Sequence, residues 1–221
     1  MVILCWAAKG GSGTTVVAAV LALTTGRRTL LVDLDGELPA VLGLPEPDRP
    51  GIDDWLVSDA PAAHLTDLQV TIGQHVDLLP FAQAGATRRA ASGRTPRDER
   101  WMQLSGWLGG RHDDGIDVVI DAGTGEPNPL LAADVDHRLL VTRPCYLALR
   151  RGARAVARAT GVVLVDEPGH SLSARDVEHA VGAPVVAMVS FDPAVARAVD
   201  AGLLSGRLPR VIGRELRQVA A

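Results

Sequence analysis

The sequence predicts a single three-layer α/β domain, with a mostly parallel central sheet and helices on both faces. Three observations predict it. Short apolar runs alternate with helical patterns of about ten residues from one end to the other, which is the pattern of βαβ units. Aromatic residues make up 3% of the chain and hydrophobic residues 47%. The core must therefore be built from Ala, Val and Leu, which suits helices packed on a parallel sheet. The length of 221 residues holds one such domain with a buried core and is short for two. Residues 1–221 are read as one domain, without a repeat or linker.

Each element follows in order. Val2–Ala7 reads as a buried strand, followed by a glycine-rich turn and an apolar helix over Thr14–Thr25. Thr29–Leu34 is a second buried strand. Four prolines between Pro39 and Pro50 predict loop with at most one helical turn. Ile52–Val57 is a short helix, Val76–Pro80 a strand, Ala82–Asp98 a mobile surface loop and Asp98–Leu108 a helix. Strands are expected at Asp117–Asp121, Arg138–Thr142, Gly161–Val165 and Pro184–Val189. Helices are expected at Leu147–Thr160, Ser173–Val181, Pro193–Leu204 and Pro209–Val219. Ligands bind beyond the carboxyl ends of the strands in such sheets. The chemistry is therefore expected just after Ala7, Leu34, Asp121 and Thr142.

Composition narrows the classes. A charged fraction of 22% beside 47% hydrophobic residues excludes disorder and coiled coil. A net charge of −4 argues against a nucleic-acid coat protein. Cys5 and Cys145 lie far apart in or beside apolar runs without metal-ligand spacing, and read as buried free thiols in a reducing cytosol. The longest apolar stretch, Val16–Leu23, is far short of the roughly 20 residues a membrane span needs. No basic segment precedes the first apolar run, so a cytoplasmic location is expected.

The chemistry begins at Ala8-Lys9-Gly10-Gly11-Ser12-Gly13-Thr14-Thr15. A glycine-rich turn between strand and helix presents successive backbone N–H groups, which join the helix dipole in an anion cradle. Against the pattern G-x-x-x-x-G-K-S/T, Gly13 and Thr15 are present, Ala8 replaces the first glycine, and Thr14 replaces the phosphate-binding lysine. Lys9 is the one lysine beside 21 arginines.

Lys-Gly-Gly-Ser-Gly-Thr-Thr resembles the deviant phosphate loop K-G-G-x-G-K-T of the MinD/ParA family of P-loop ATPases. The resemblance continues at Leu30-Leu31-Val32-Asp33-Leu34-Asp35-Gly36 and at Ile116-Asp117-Val118-Val119-Ile120-Asp121-Ala122-Gly123. It implies a P-loop NTPase fold that binds ATP or ADP with Mg²⁺. Gly10, Gly11, Ser12, Gly13, Thr14 and Thr15 would cradle the phosphates. Lys9 would match the lysine that reaches a partner's nucleotide across an ATP-sandwiched homodimer, and Asp35 the acid that helps position the attacking water. Asp121 and Thr15 would serve Mg²⁺. Asp33 would serve the metal shell or hydrogen-bond to its own loop. Asp166 stands where the family often places an adenine-contacting Asn.

The departures have a cost. Losing one charge-assisted hydrogen bond at Thr14 weakens binding by about 1.5–3 kcal/mol, and more in a transition state that gathers charge. The pocket is expected to survive in shape with weakened binding and slow or absent hydrolysis. The match looks closest to the TadZ/CpaE-like branch, carried by Val32-Asp33-Leu34-Asp35 through Val41-Leu42-Gly43-Leu44, which implies a spatial regulator or assembly factor for Tad/Flp pilus or secretion machinery. The alternative is an active dimerisation switch for partition or septum placement, with a protein partner in a division apparatus.

Two surfaces bear on other partners. Arg150, Arg154 and Arg158 fall at i, i+4 and i+8, with Arg151 alongside, as a basic helical stripe for non-specific DNA contact; the net charge weighs against it. The basic C-terminal segment from Arg207 to Arg217 would make a peripheral membrane contact, but Gly213 interrupts it and bulky anchors are missing, so packing on the domain is expected. Trp55, Trp101 and Trp107 are expected to be core or interface fillers.

Overall fold

The computed structural model describes residues 1–82, 95–206, 208 and 210–219. Its eight strands form one sheet in the order β3-β4-β2-β5-β1-β6-β7-β8. They are β1 (Val2–Ala7), β2 (Thr29–Asp33), β3 (Val70–Thr71), β4 (Val76–Leu79), β5 (Asp117–Thr124), β6 (His137–Thr142), β7 (Gly161–Asp166) and β8 (Val185–Ser190). All neighbours are parallel except β3 and β4. The three-layer α/β fold is therefore as expected.

The uninterrupted apolar run of β1 is explained by its place. It lies between β5 and β6, and all six residues are buried. Alternate side chains feed two layers. Ile3 and Cys5 pack with Val17, Val20 and Leu21 of α1 (Thr14–Thr24). Val2, Leu4 and Trp6 pack with Leu104 and Leu108 of α4 (Asp98–Asp113), a helix longer than the predicted Asp98–Leu108. Trp55 belongs to this second layer at 3% exposure, with the Arg100 guanidinium 3.6 Å above its ring. Trp101 and Trp107 are partly buried against the same layer, so all three tryptophans are fillers as expected.

The remaining helices are α2 (Leu38–Leu42), α3 (Ile52–Leu56), α5 (Pro129–Ala133), α6 (Tyr146–Gly152), α7 (Ala174–Val181), α8 (Pro193–Asp200) and α9 (Arg210–Leu216). The sequence reading missed α5, the edge strand β3 and a 3₁₀ turn at Ala62–Leu65. Most of the predicted loop at Ala82–Asp98 lies outside the described residues.

One helix corrects the reading. The stretch predicted as helical over Leu147–Thr160 stops at Gly152. Beyond it the amides of Val156 and Ala157 each donate to the Glu126 carboxylate at 3.1 Å, which gives the backbone a non-helical partner. Arg154 and Arg158 therefore do not continue the face of Arg150, and the basic helical stripe does not form. The C-terminal helix follows expectation. Ile212 and Leu216 are buried with α1 and β8, and Ser190 donates to the Glu215 carboxylate from its amide (3.0 Å) and its hydroxyl (2.7 Å).

Candidate functional site

The carboxyl ends of β1, β2 and β5 meet at one place. The Leu34 amide donates to the Asp121 carbonyl and the Gly125 amide to the Ala7 carbonyl, each at 2.9 Å. The register of β1 against β5 shifts between Cys5 and Ala7, where the strand gives way to the glycine turn. Gly11 and Gly13 have φ of +76° and +88°, which only glycine adopts readily, and Gly13 leads into α1. The Ser12 hydroxyl closes the turn by donating to the Lys9 carbonyl at 2.7 Å. The turn is therefore a cradle of backbone amides at the start of an 11-residue helix.

The expected residues gather here, with distinct roles. Thr14 is 6% exposed and brings no charge, and Thr15 is half-buried. Lys9 is half-buried on the rim and has no ion pair among the described residues. Asp121 is fully buried, and its Oδ1 accepts from the Gly123 amide at 3.0 Å. Burial pushes its pKa up to about 7; the Thr15 hydroxyl and the Gly123 amide oppose that rise, while Asp33 and Asp35 add to it. Its Oδ2 has no partner at hydrogen-bonding geometry. A buried, unpartnered carboxylate oxygen beside a hydroxyl and two more acids suits a hard cation with oxygen ligands.

Asp33 is occupied differently. The Asp35 and Gly36 amides donate to its Oδ1 at 3.1 and 2.7 Å, and the Leu38 amide to its Oδ2 at 3.3 Å. Burial raises its pKa to about 6 despite these bonds. Of the two roles expected for Asp33, this geometry supports the loop-holding one. Asp35 is exposed above it and packs on Gly123, where an added methyl group would collide with the Asp35 carboxylate. That close approach, at φ +64°, ties the β2 turn to the β5 turn.

A cavity of about 240 Å³ continues from the cradle, lined by Ser12 and Gly13 on one side and by Arg143, Val165, Phe191 and Asp192 on the other. Asp166 is exposed and does not line it, although its carbonyl accepts from the Phe191 amide at 2.8 Å. Sequence reasoning missed Arg143, Phe191 and Asp192. Arg143 follows Thr142, a strand end already marked for chemistry, so the rule that found the acids also pointed to it.

The thiols differ from one another. Cys5 is fully buried, and burial followed by the Asp121 charge drives its pKa far up. Cys145 is only partly buried, contrary to expectation, because it precedes α6; the Ala148 and Leu147 amides lower its pKa.

A glycine cradle opening a helix, set against two acids at the ends of adjacent parallel strands, defines the phosphate-loop class of α/β proteins. The model of the family described as "Cellulose biosynthesis protein BcsQ" matches residues 1–169, and the chain belongs to this ParA/MinD-like family. No curated protein sequence matches the chain. Among solved structures it resembles the MinC:MinD cell division protein complex of Aquifex aeolicus (TM-score 0.76, 19% identity, covering 99% of this chain and 93% of that one). It also resembles the septum site-determining protein MinD of Pyrococcus horikoshii complexed with Mg-ADP (TM-score 0.71, 20% identity, 100% and 95% covered). A third is a ParA family ATPase from Chlorobium tepidum (TM-score 0.71, 17% identity, 99% and 98% covered). At these identities the likeness is one of fold.

Proposed function

We propose that the protein is a nucleotide-binding assembly or localisation factor of the cytoplasm that binds ATP or ADP with Mg²⁺ and hydrolyses ATP slowly or not at all. The single observation that carries this reading is the pairing of an intact cradle with a neutral Thr14. Gly11 and Gly13 keep their left-handed geometry and Asp121 keeps an unpartnered buried oxygen, yet the buried side chain where the loop's cation belongs is a threonine.

The residues fit the group. Gly10 to Thr15 would hold the phosphates through backbone amides, and Thr15 and Asp121 would hold Mg²⁺. The bound ion would neutralise phosphate charge. Lys9, on the rim, is free of any other ion pair among the described residues and so able to meet a phosphate, including one held by a second copy of the chain. A homodimer is therefore part of the proposal. The MinD of Pyrococcus horikoshii was solved with Mg-ADP and that of Aquifex aeolicus with MinC, which supports a nucleotide ligand and a protein partner here.

Among machineries, the description of the matching family favours cellulose biosynthesis over the Tad/Flp apparatus, whose support is the 32–44 segment alone. No helix among the described residues is long and apolar enough to cross a membrane, and the apolar face of α9 is spent on the core. The proposed contact with the machinery is through a protein partner.

Steady-state phosphate release with MgATP tests the reading. The expected result is turnover at or near background, unchanged by Asp35→Ala. Robust turnover that Asp35→Ala abolishes would instead establish an active ATPase switch.

A further inference from the structure

The chain lacks the phosphate loop's cation but not every cation near the loop. Among the described residues, Arg143 is the one basic residue lining the cavity that Ser12 and Gly13 share. Its backbone is fixed: its carbonyl accepts from the Cys145 amide at 2.7 Å and from the Thr142 hydroxyl at 3.2 Å. Its guanidinium spends Nη1 on Glu167 at 3.1 Å and lies 6.0 Å from the centre of the Phe191 ring. Its Nε is buried without a hydrogen-bond partner. A guanidinium offers five donors in a rigid fork that matches phosphate oxygens. Here one donor is held by a side chain and another is orphaned, in a cavity that Ser12 and Gly13 also line.

Resting on the nucleotide reading above, we infer that Arg143 is a second cation, beside Lys9, for the nucleotide's phosphates, supplying from the cavity wall the charge that Thr14 does not supply from within the loop. Glu167 parks the guanidinium when no ligand is bound. The Arg143–Glu167 pair is about one-third exposed on both sides, so it is weakly held and readily exchanged for a phosphate. His170 Nε2 lies 3.5 Å from the same Glu167 oxygen. The ligand class is a nucleoside diphosphate or triphosphate, whose charge repays the exchange.

The test is calorimetric titration of MgADP into wild type, Arg143→Gln, Arg143→Lys and Glu167→Gln, with ligand-free thermal midpoints to confirm folding. Arg143→Gln is expected to weaken binding about tenfold or more, the size of one charge-assisted hydrogen bond. Arg143→Lys is expected to recover part of that loss, since it keeps the charge without the fork. Glu167→Gln is expected to bind as tightly as wild type or more tightly, because a competitor is removed. Unchanged binding in Arg143→Gln would overturn the inference. So would an Arg143→Lys variant as weak as Arg143→Gln, which would make the arginine a planar platform for the base. Weaker binding in Glu167→Gln would overturn the parking role. Wild type that binds no MgADP would refute the nucleotide reading itself, and this inference with it.

Discussion

Asp121 shows how burial sets the chemistry of this site residue by residue. Its pKa of about 7 and that of Asp33 near 6 both lie above the usual carboxylate range. The folded state therefore holds more protons than the unfolded one between roughly pH 4 and 7, and stability falls as pH rises through that window. The ligand-free protein is expected to show a higher thermal midpoint at pH 5 than at pH 8, by differential scanning calorimetry without divalent ions. Asp121→Asn removes the ionisable group and should flatten that slope, most visibly above pH 6. A slope unchanged in Asp121→Asn would place the effect elsewhere. At this scale the sequence was most informative where spacing carried the signal. Gly11, Gly13, Thr15, Asp33, Asp35 and Asp121 converge as their order along the chain implied. Asp166 does not join them, because a strand's end fixes where the chain leaves the sheet but not which side chain then turns inward.

At the scale of elements, the strands were legible because the central residues of β1, β2 and β5 are buried on both faces and read as short apolar runs. Helix ends were harder. The segment after Gly152 has helical composition, and only the Glu126 carboxylate, some thirty residues earlier, draws its amides away. No local pattern reports such a partner. The edge strand β8 presents a related case. As the last strand of the sheet it has a neighbour on one side only, and it exposes Val186 at 37% and Met188 at 49%. Both of its ends are occupied by carboxylates: the Val185 amide donates to Glu178 at 2.9 Å and the Ser190 amide to Glu215 at 3.0 Å. These caps shorten the open edge and place negative charge beside it. Replacing both glutamates with alanine is expected to increase self-association without nucleotide, seen as a rise in the weight-average mass by light scattering. A mass equal to that of wild type at all concentrations would mean that the edge needs no such guard.

At the scale of the whole molecule, a fold shared with ParA/MinD-like proteins carries a buried threonine at position 14. The parallel sheet brings the ends of β1, β2 and β5 together regardless of what residue 14 is, since the packing beneath uses Ile3, Val17, Leu31 and Val119. The fold was readable because it depends on many apolar positions acting together. The proposed degree of function was less so, because it rests on one buried side chain, Thr14, and on Arg143, which shares a cavity with Ser12 and Gly13 only once the chain is folded. On the proposed function, the nucleotide pocket survives without its loop cation. Titration calorimetry of MgADP into wild type and Thr14→Lys tests it most directly. Wild type is expected to bind measurably and Thr14→Lys at least about tenfold more tightly, as one restored charge-assisted hydrogen bond requires. The absence of binding heat in both proteins would contradict it and make the loop a structural turn alone.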